Sequence, residues 1–340
     1  MSTHAHTITL AHGNGGVQMQ QLLRTVIRPA LATPALDDET DGAVLPPVPN
    51  AELVFTTDGF VVQPLFFPGG DIGHLAVCGT INDLAVMGAQ PAALSLALII
   101  EAGTPMATLE RVMQSIGQTA AAAGVPVVTG DTKVVENGQA DQIYATTAGV
   151  GWRAPGAVPG WRACAPGDAV VVSGTIGHHG IAVLAARNAL PFEREIRSDA
   201  MPVHRLVQAA LEATPSIRWL RDPTRGGVAA ALNELASQAD LAIAVDQSRL
   251  PVTEEVRGAA EILGLEPVYL ANEGRFLAIC PAEDADTLVA ALQSMPGGER
   301  AARIGTIEAA HPGGRVIVAT GFGSTRILDM PSGEQLPRIC

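Results

Sequence analysis

Five aspartates stand beside glycines or near apolar segments, where their carboxylates could bind a metal ion. They are Asp41 in TDGAVL, Asp58 in TTDGF, Asp83 in TINDLAVMG, Asp131 in VVTGDTK and Asp222 in RDPTRGG. Carboxylate oxygens are the hard ligands that Mg²⁺ prefers, and proteins often share this ion with nucleotide phosphates. For each aspartate alone, capping of a helix or turn is the ordinary alternative. Several such aspartates together favour a site, although the sequence does not show that they converge.

Glycines and the single lysine of the chain indicate a place for phosphate. The loop HGNGG contains Gly13, Gly15 and Gly16, which would let backbone N–H groups approach an anion. A flexible turn before a helix is the alternative, and the Walker pattern GxxxxGK[ST] is absent. Lys133 follows a predicted Gly-Asp-Thr turn, where its ammonium could contact phosphate or carry a proton. An ordinary surface lysine is the alternative there.

Two further segments carry groups that could act in catalysis. Asn272 and Glu273 stand between two apolar segments, so Glu273 could be a base or a metal contact, with a polar hairpin turn as the alternative. Cys340 ends the chain in LPRIC and would be an accessible thiol. Its own α-carboxylate disfavours the thiolate, so Arg338 or a receiving pocket would have to compensate. The alternative is a terminal cysteine without a role.

Composition limits the classes of protein to which the chain can belong. It has 340 residues, of which 47% are hydrophobic and 16% charged, with a net charge of −13. This composition excludes a disordered chain, and the acidic balance argues against a general nucleic-acid binder. An acidic protein that binds a nucleotide needs a divalent cation between its carboxylates and the phosphates. No apolar run reaches the ~18 residues of a membrane span, and no secretory signal is visible, so we expect a cytoplasmic protein with reduced cysteines.

Hydrophobic periodicity predicts alternating helices and strands in two halves of similar size. Helices are predicted at 17–31, 72–86, 108–123, 182–187, 203–213, 226–237, 253–263 and 282–294. Strands are predicted at 53–57, 93–100, 125–129, 142–151, 169–173, 241–245, 277–280 and 315–319. The Pro/Gly-rich segment 154–167 reads as an interdomain linker. We therefore divide the chain into a glycine-rich loop and helix (1–48), an N-terminal domain (49–153), the linker, a C-terminal domain (168–325) and a flexible tail (326–340).

Taken together, these motifs resemble the HypE family of hydrogenase maturation proteins, the carbamoyl dehydratases. AHGNGG, TTDGF, PLFFPGGDIG, CGTINDLAVMG, VTGDTKVV, SGTIGHHG, RDPTRGG, ANEG and the terminal PRIC stand in family order over essentially the whole chain. PRIC is the most specific of them. The other motifs also resemble the wider superfamily of aminoimidazole ribonucleotide synthetase, selenide water dikinase and thiamine monophosphate kinase.

The resemblance implies a fold and a set of site residues. The fold would be α+β with two domains, in which N-terminal strands of two subunits form a β-barrel in a homodimer and the C-terminal domain is an α/β layer. ATP and Mg²⁺ would lie between the domains. By motif, Asp58, Asp83 and Asp222 would bind the metal, with Asp41 as a weaker fourth ligand. The nucleotide would contact the glycine loop and Asn272, together with Gly130, Asp131, Thr132 and Lys133.

The resemblance also implies a reaction and partners. Cys340 would receive a carbamoyl group from the carbamoyltransferase HypF, and ATP-dependent dehydration would convert it to a thiocyanate, with Lys133 and Glu273 as catalytic groups. The cyanide would then pass to iron on the HypC–HypD complex. One alternative is another ATP-dependent small-molecule kinase or synthetase of the superfamily, for which the tail would be irrelevant. A second is a non-catalytic scaffold that displays its tail, against which the phosphate-type motifs argue.

Overall fold

A helical segment opens the described part of the chain and packs against the N-terminal domain. The computed structural model describes residues 7–14, 16–36, 42–190, 192, 194–321 and 323–331. Helix α1 (Val17–Leu22), a π-helical turn (Leu23–Ile27) and helix α2 (Arg28–Leu31) follow one another without a break. Together they confirm the helix predicted over 17–31. Leu22, Val26 and Ile27 face inward, in agreement with the helical spacing of apolar residues.

The N-terminal domain is a four-stranded sheet covered on one face by two helices. Its elements in chain order are β1 (Glu52–Phe60), β2 (Phe66–Phe67), β3 (Gly70–Asp71), α3 (Ile72–Val86), β4 (Gln90–Glu101), α4 (Met106–Ala123), β5 (Val127–Val135) and β6 (Ile143–Arg153). The strand order in the sheet is β1-β6-β4-β5, and only β4 and β5 run parallel. The opposite face of this sheet leaves Leu53, Phe55 and Ile99 exposed at 58%, 66% and 40%. That face therefore has an apolar surface without a partner in the described chain.

Helix α3 lies between this sheet and the C-terminal domain. The side chain of Asp71 caps it by accepting hydrogen bonds from the N–H groups of Gly73 and His74, and nearly every residue of the helix is buried. A helix that is apolar on all sides is expected in the interior of a protein. Residues of α3 can therefore reach both domains, and the prediction of a helix over 72–86 is confirmed.

The described residues of the C-terminal domain form a seven-stranded sheet between helices. The elements are β7 (Ala169–Val172), α5 (His178–Asn188), α6 (His204–Ala213), β8 (Trp219–Arg221), α7 (Gly227–Ala239), β9 (Leu241–Asp246), α8 (Glu254–Leu263), β10 (Leu277–Cys280), α9 (Ala285–Gln293), β11 (Ala302–Ala310), β12 (Arg315–Ala319) and β13 (Thr325–Ile327). The strand order is β13-β12-β9-β11-β7-β10-β8. Alternate residues of β7 pack on opposite sides: Val170 and Val172 lie in the cluster under α7, and Ala169 and Val171 in the cluster under α6 and α9. Burial on both faces explains why these strands are continuously apolar.

Three of the sequence predictions differ from the structure in a way that matters for the site. Strand β1 continues through Asp58 to Phe60, and β5 continues through the whole of GDTKVV, so Asp58 and Lys133 lie within strands and not in turns. The predicted tail begins too early, because Thr325–Ile327 pairs with β12 and Leu328 is fully buried. Strands β2, β3, β8, β11 and β13 were not predicted, since they are short or rich in small and polar residues.

The predicted linker, residues 154–167, has no long helix or strand but contacts the C-terminal domain. The Gly160 N–H donates to the carbonyl of Arg218, and the Gly167 N–H donates to that of Ile307. None of the helices in the described part of the chain has the length and apolar character needed to span a bilayer.

Candidate active site

A pocket between the two domains collects charged side chains from both of them. Its cavity has a volume of about 260 Å³. It is lined by Thr57, Asp58, Gly79, Asp83, Arg221, Asp222, Thr224, Arg225 and Glu273. We call these residues the carboxylate pocket. Three of the predicted metal-binding aspartates and the predicted catalytic glutamate thus meet in one place.

The N-terminal domain supplies one wall through β1 and α3. Asp83 on α3 accepts a hydrogen bond from the Thr56 hydroxyl at 2.8 Å, and Asp58 accepts one from the Gly59 N–H at 2.8 Å. Gly79 stands one helical turn before Asp83, and a Cβ there would lie 2.8 Å from Cζ of the buried Phe60 ring. The lack of a side chain at Gly79 lets β1 approach α3 and places Asp58 next to Asp83.

The C-terminal domain supplies the other wall through two loops. Asp222 directly follows β8, and Thr224 and Arg225 continue the loop that leads into α7. Glu273, which is 4% exposed, belongs to the segment before β10. Arg221 pairs with Glu234 at 3.1 Å and also lines the pocket. Two arginines therefore face the four carboxyl groups.

Burial and mutual repulsion raise the pKa of every carboxyl group in the pocket. Burial raises the pKa of Asp58 and of Asp83, against the lowering effect of a hydrogen bond to each. Burial, followed by the charge of Asp83, raises the pKa of Asp222 to about 7. Burial, followed by the charge of Asp222, raises the pKa of Glu273 well above its ordinary value. The arginines offset only part of this, so the pocket favours protons or a cation.

The donor set fits a magnesium ion that is shared with phosphates. Within the described ranges, no three His, Cys, Asp or Glu side chains are arranged to hold a metal ion by themselves. Mg²⁺ usually binds through one or two carboxylates plus substrate phosphates, and seldom in a cage made by protein alone. Asp58, Asp83 and Asp222 are carboxylates with raised pKa values, which is the chemistry that such an ion neutralises. Asp41 lies outside the described residues.

Of the residues predicted to contact the nucleotide, residues 130–133 lie on β5 and Gly13 lies against it. Asp131 and Lys133 form an exposed ion pair at 2.9 Å, while Thr132 is buried. The ion pair lowers the pKa of Asp131. The glycine loop contacts this strand: a Cβ on Gly13 would lie 2.8 Å from the backbone nitrogen and Cβ of Val134. We call Gly13, Gly16 and residues 130–133 the β5 group; Gly15 lies outside the described residues.

Within one chain, the sheet separates the side chains of Asp131 and Lys133 from the carboxylate pocket. The register places Asp58 opposite Thr147, Thr147 opposite Leu96, and Leu96 opposite Gly130. Three strand spacings of about 4.8 Å put β1 and β5 about 14 Å apart along that line. The side chains of Asp58 and Thr147 share the face covered by α3, because Thr147 donates to the carbonyl of Ala76. Asp131 and Lys133 stand on the other face, since their positions alternate with the buried Thr132.

Comparison with known proteins identifies the family of the chain. Residues 39–152 match the family model for the N-terminal domain of AIR synthase related proteins, and residues 165–318 match that for the C-terminal domain. The chain is 48% identical over 334 residues to the carbamoyl dehydratase HypE of Azotobacter vinelandii, covering 98% of this chain and 97% of that protein. The chain belongs to the HypE family of carbamoyl dehydratases.

Solved structures of HypE proteins agree with the fold described above. A crystal structure of the hydrogenase maturation protein HypE in complex with ATP matches with a TM-score of 0.94 and 41% identity, covering 98% of this chain and 100% of that one. The structure of a HypE–HypF complex matches with a TM-score of 0.80 and 39% identity, covering 93% and 100%. The two-domain α+β fold expected from the resemblance is therefore confirmed.

Asn272 differs from the expectation that it faces the nucleotide. It is fully buried, and its side-chain NH₂ donates to the carbonyls of Pro223 and Leu270 at 2.9 and 3.0 Å. Its side-chain oxygen accepts from the Gly177 N–H at 2.7 Å. Both the NH₂ group and the oxygen of this side-chain amide are thus hydrogen-bonded to backbone groups. Asn272 holds the loop that carries Asp222 next to the segment that carries Glu273.

Sequence reasoning missed both arginines of the carboxylate pocket. Arg221 and Arg225 flank Asp222 in RDPTRGG, and arginine is well suited to bind phosphate oxygens in a bidentate manner. Both arginines could therefore have been found in the motif RDPTRGG. Only the fold shows that these side chains reach Asp58 and Asp83, which stand more than a hundred positions earlier in the sequence.

The described cysteines have poorly reactive thiols. Cys78 and Cys280 are fully buried, and Cys164 is half-buried. Burial raises the pKa of Cys164 and of Cys280 to about 12, and raises that of Cys78 well above its ordinary value. None of these three is a good nucleophile at neutral pH. The predicted reactive residue, Cys340, lies outside the described residues.

Proposed function

We propose that this chain is an ATP-dependent carbamoyl dehydratase that converts an S-carbamoyl group on its own Cys340 into a thiocyanate. The observation that carries the proposal is the carboxylate pocket. In a chain of the HypE family, it brings Asp58, Asp83 and Asp222 together with Glu273 and two arginines. The pocket offers carboxylates for Mg²⁺, cations for phosphate and a proton acceptor, which are the groups that this reaction requires.

The reaction balances as the removal of one water molecule at the expense of ATP. The carbamoyl oxygen of S–C(=O)–NH₂ attacks the γ-phosphorus of ATP, and ADP departs. Loss of one N–H proton gives S–C(OPO₃²⁻)=NH. Loss of the second N–H proton, with cleavage of the C–O bond, releases inorganic phosphate and leaves S–C≡N. Phosphorylation is needed because the carbamoyl oxygen is otherwise a poor leaving group.

Glu273 is the proposed base for the N–H protons. Its carboxyl group lines the pocket and is 4% exposed, so water does not compete for it. Its raised pKa makes the carboxylate a stronger base than an exposed glutamate. Arg225 lies close enough to lower the pKa of both Glu273 and Asp58. It is therefore placed to hold the transferring phosphoryl group next to the base.

Mg²⁺ would be held by Asp58, Asp83 and Asp222, and when bound it supplies neutralisation of phosphate charge. Without that neutralisation, the pocket would repel a nucleotide through its own carboxylates. The Thr56 hydroxyl orients Asp83 by donating to it at 2.8 Å.

Lys133 and the rest of the β5 group would act across a homodimer. Within one chain, Gly130 and Thr132 share the face of Asp58, whereas the side chains of Asp131 and Lys133 lie on the opposite face of the sheet. The same face carries the exposed Leu53, Phe55 and Ile99, which a second N-terminal sheet would cover in the proposed intersubunit barrel. A second copy would then bring its Gly130–Lys133 strand to the carboxylate pocket of the first. Nucleotide phosphates would bind between the two.

The end of the described chain lies beside the pocket. Leu328 is buried and its carbonyl accepts from the Asn233 side chain at 2.9 Å. Pro331 borders Gly226, because a Cβ on Gly226 would lie 3.1 Å from its ring. Gly226 directly follows the pocket residue Arg225. From Pro331, residues 332–340 span at most roughly 30 Å at about 3.3 Å per residue, which suffices to bring Cys340 into the pocket.

The proposed partners act before and after the dehydration: one supplies its substrate group and the other accepts its product. HypF would supply the carbamoyl group, in line with the HypE–HypF complex among the matching structures. The HypC–HypD complex would accept the cyanide for iron. These steps would take place in the cytoplasm.

Intact-mass measurement tests the proposal. We expect a gain of about 43 Da, part of it already converted to a gain of about 25 Da, after incubation with active HypF, carbamoyl phosphate and ATP. After the purified adduct receives Mg-ATP, we expect only the gain of about 25 Da. Cys340→Ala is expected to show neither adduct. The matched control is Cys164→Ala, which removes a half-buried thiol and is expected to keep both. Absence of any adduct on Cys340, with a transferase that modifies another HypE protein, would contradict the proposal.

A further inference from the structure

Asn82 is a buried amide between the two domains that takes no direct part in the proposed chemical steps. It is 2% exposed and stands directly before Asp83 on α3. A buried side-chain amide is costly unless hydrogen bonds satisfy it. The partners of Asn82 therefore show what it contributes.

Among the described residues, the Asn82 side chain makes three hydrogen bonds, and all of them reach backbone groups of the C-terminal domain. Nδ2 donates to the carbonyls of Met201 at 3.1 Å and Glu273 at 3.0 Å. Oδ1 accepts from the Val203 N–H at 2.8 Å. Two successive residues of α3 thus have different partners, since Asn82 binds the opposite domain and Asp83 lines the pocket.

Both backbone polar groups of Glu273, its carbonyl and its N–H, are hydrogen-bonded. Its carbonyl accepts from Asn82 and, at 3.4 Å, from the Met201 N–H. Its N–H donates to Oδ1 of Asp199 at 3.3 Å, and Oδ2 of that buried carboxylate lies 3.6 Å from Nε of Arg275. Of these contacts, only the one with Asn82 ties Glu273 to the N-terminal domain, which supplies Asp58 and Asp83.

We propose that Asn82 is a positioning residue that fixes the distance between Glu273 and the aspartates of the N-terminal domain. This inference rests on the proposed function, because it assigns a base to one domain and metal-binding carboxylates to the other. Proton transfer depends steeply on placement, so that a shift of about 1 Å can lower a rate about a hundredfold. Removing the amide leaves the Met201 carbonyl and the Val203 N–H without a partner and lets the two walls separate.

The test combines hydrogen exchange with single-turnover dehydration in the full chain. In Asn82→Ala we expect the amide of Val203 to exchange at least about tenfold faster, because it loses its acceptor. We expect the dehydration rate of the carbamoylated protein to fall at least about tenfold, while the half-saturating ATP concentration changes less than about threefold. The control is Gln293→Ala, which also removes a side-chain donor to a buried backbone carbonyl, that of Ala301, but within the C-terminal domain. It is expected to leave both quantities unchanged.

Asn82→Thr supplies a hydroxyl in place of the amide and leaves a smaller cavity than alanine does. It serves if the alanine variant does not fold, and both effects are then expected to be smaller. A dehydration rate within about twofold of wild type, or equal Val203 exchange in Asn82→Ala and Gln293→Ala, overturns the inference. If the wild-type chain itself never loses water from an S-carbamoyl group, the proposed function fails. Exchange at Val203 then still decides whether Asn82 joins the domains.

Discussion

At the scale of single residues, the surroundings of a side chain decide its chemistry more than its type does. Glu273 and Glu261 are both glutamates, but Glu273 is buried among carboxylates and Glu261 is exposed on α8. Burial and the charge of Asp222 raise the pKa of Glu273. The sequence ANEG suggested a base or a hairpin turn and could not distinguish them, because the deciding neighbours come from distant positions.

The first prediction concerns Glu273 as a base. Glu273→Gln keeps the shape of the side chain but removes its ability to accept a proton. We expect single-turnover dehydration to slow by about a hundredfold or more, while carbamoylation of Cys340 is retained. Mass spectrometry of both steps measures this. Glu261→Gln is the control, and a normal dehydration rate in Glu273→Gln would assign the base elsewhere.

The second prediction concerns pH and the stability of the metal-free protein. The pKa of Asp222 rises from an ordinary value of 3.8 to about 7 in the folded state. Between these values the folded chain binds more protons than the unfolded chain, so the free energy of unfolding falls as pH rises through this window. Asp222→Asn removes this pH-dependent loss of stability, because asparagine does not titrate. Because Asp222 is partly exposed, we expect the free energy of unfolding of Asp222→Asn to be about 1–2 kcal/mol higher than that of wild type at pH 7.5 and little changed at pH 4.

Urea unfolding with a chelator at the two pH values measures this effect. Asp246→Asn is the control, because a hydrogen bond from Ser248 lowers the pKa of this exposed aspartate and gives the opposite sign. Activity in Asp222→Asn should be lost even though the protein is more stable. A less stable Asp222→Asn protein at pH 7.5 would mean that the pocket does not carry excess negative charge.

At the scale of elements, register and close approach bring the pocket together. Strand β1 was predicted to end at Asp58, but it continues to Phe60 and so presents Asp58 to α3 from within the sheet. The helix predicted over 72–86 agrees with the observed ends of α3, and the structure adds that Asp71 caps it. Periodicity could not show which strand α3 would contact.

The third prediction tests the approach of β1 to α3. In Gly79→Ala the new Cβ would lie 2.8 Å from the buried Phe60 ring, so the strand or the helix must move. We expect a loss of about 1–3 kcal/mol in unfolding free energy and a parallel loss of dehydration activity. Gly258→Ala on α8 is the control, because nothing lies within 4 Å of its Cβ. That variant is expected to be as stable as wild type or slightly more stable, and equal behaviour of the two variants would contradict the argument.

At the scale of the whole molecule, two groups of site residues lie on opposite faces of one sheet. The carboxylate pocket faces the C-terminal domain, and Asp131 and Lys133 of the β5 group face outward with the exposed apolar residues of β1 and β4. We propose that a second copy supplies its Asp131 and Lys133 to a nucleotide that binds at the carboxylate pocket of the first. The separation of these side chains from the carboxylate pocket within one chain supports the proposed homodimer.

The fourth prediction is intersubunit complementation between Lys133→Ala and Glu273→Gln. Each variant alone should be nearly inactive. After the two are dissociated and mixed in equal amounts, about half of the dimers are mixed and each has one intact site, so about a quarter of wild-type dehydration should return. Measurement requires only the single-turnover assay on the mixture. Failure to recover activity, with subunit exchange shown by native mass spectrometry, would place Lys133 and Glu273 in the same chain's site or Lys133 outside the site.

The sequence by itself determined the local structure and the chemical groups of this protein. Apolar periodicity and glycines are local signals, so the helices and the Asp-Gly and Gly-Asp motifs could be recognised in the sequence alone. The resemblance to the HypE family also lay in the order of those motifs. Tertiary structure alone decided which groups meet: Asp58 and Asp83 with Asp222 and Glu273, but not with Lys133. It also gave Asn272 a structural role and Asn82 its place between the domains. The physical reason is that pKa values, domain contacts and the face of a strand depend on neighbours distant in the chain, and only folding brings these neighbours together.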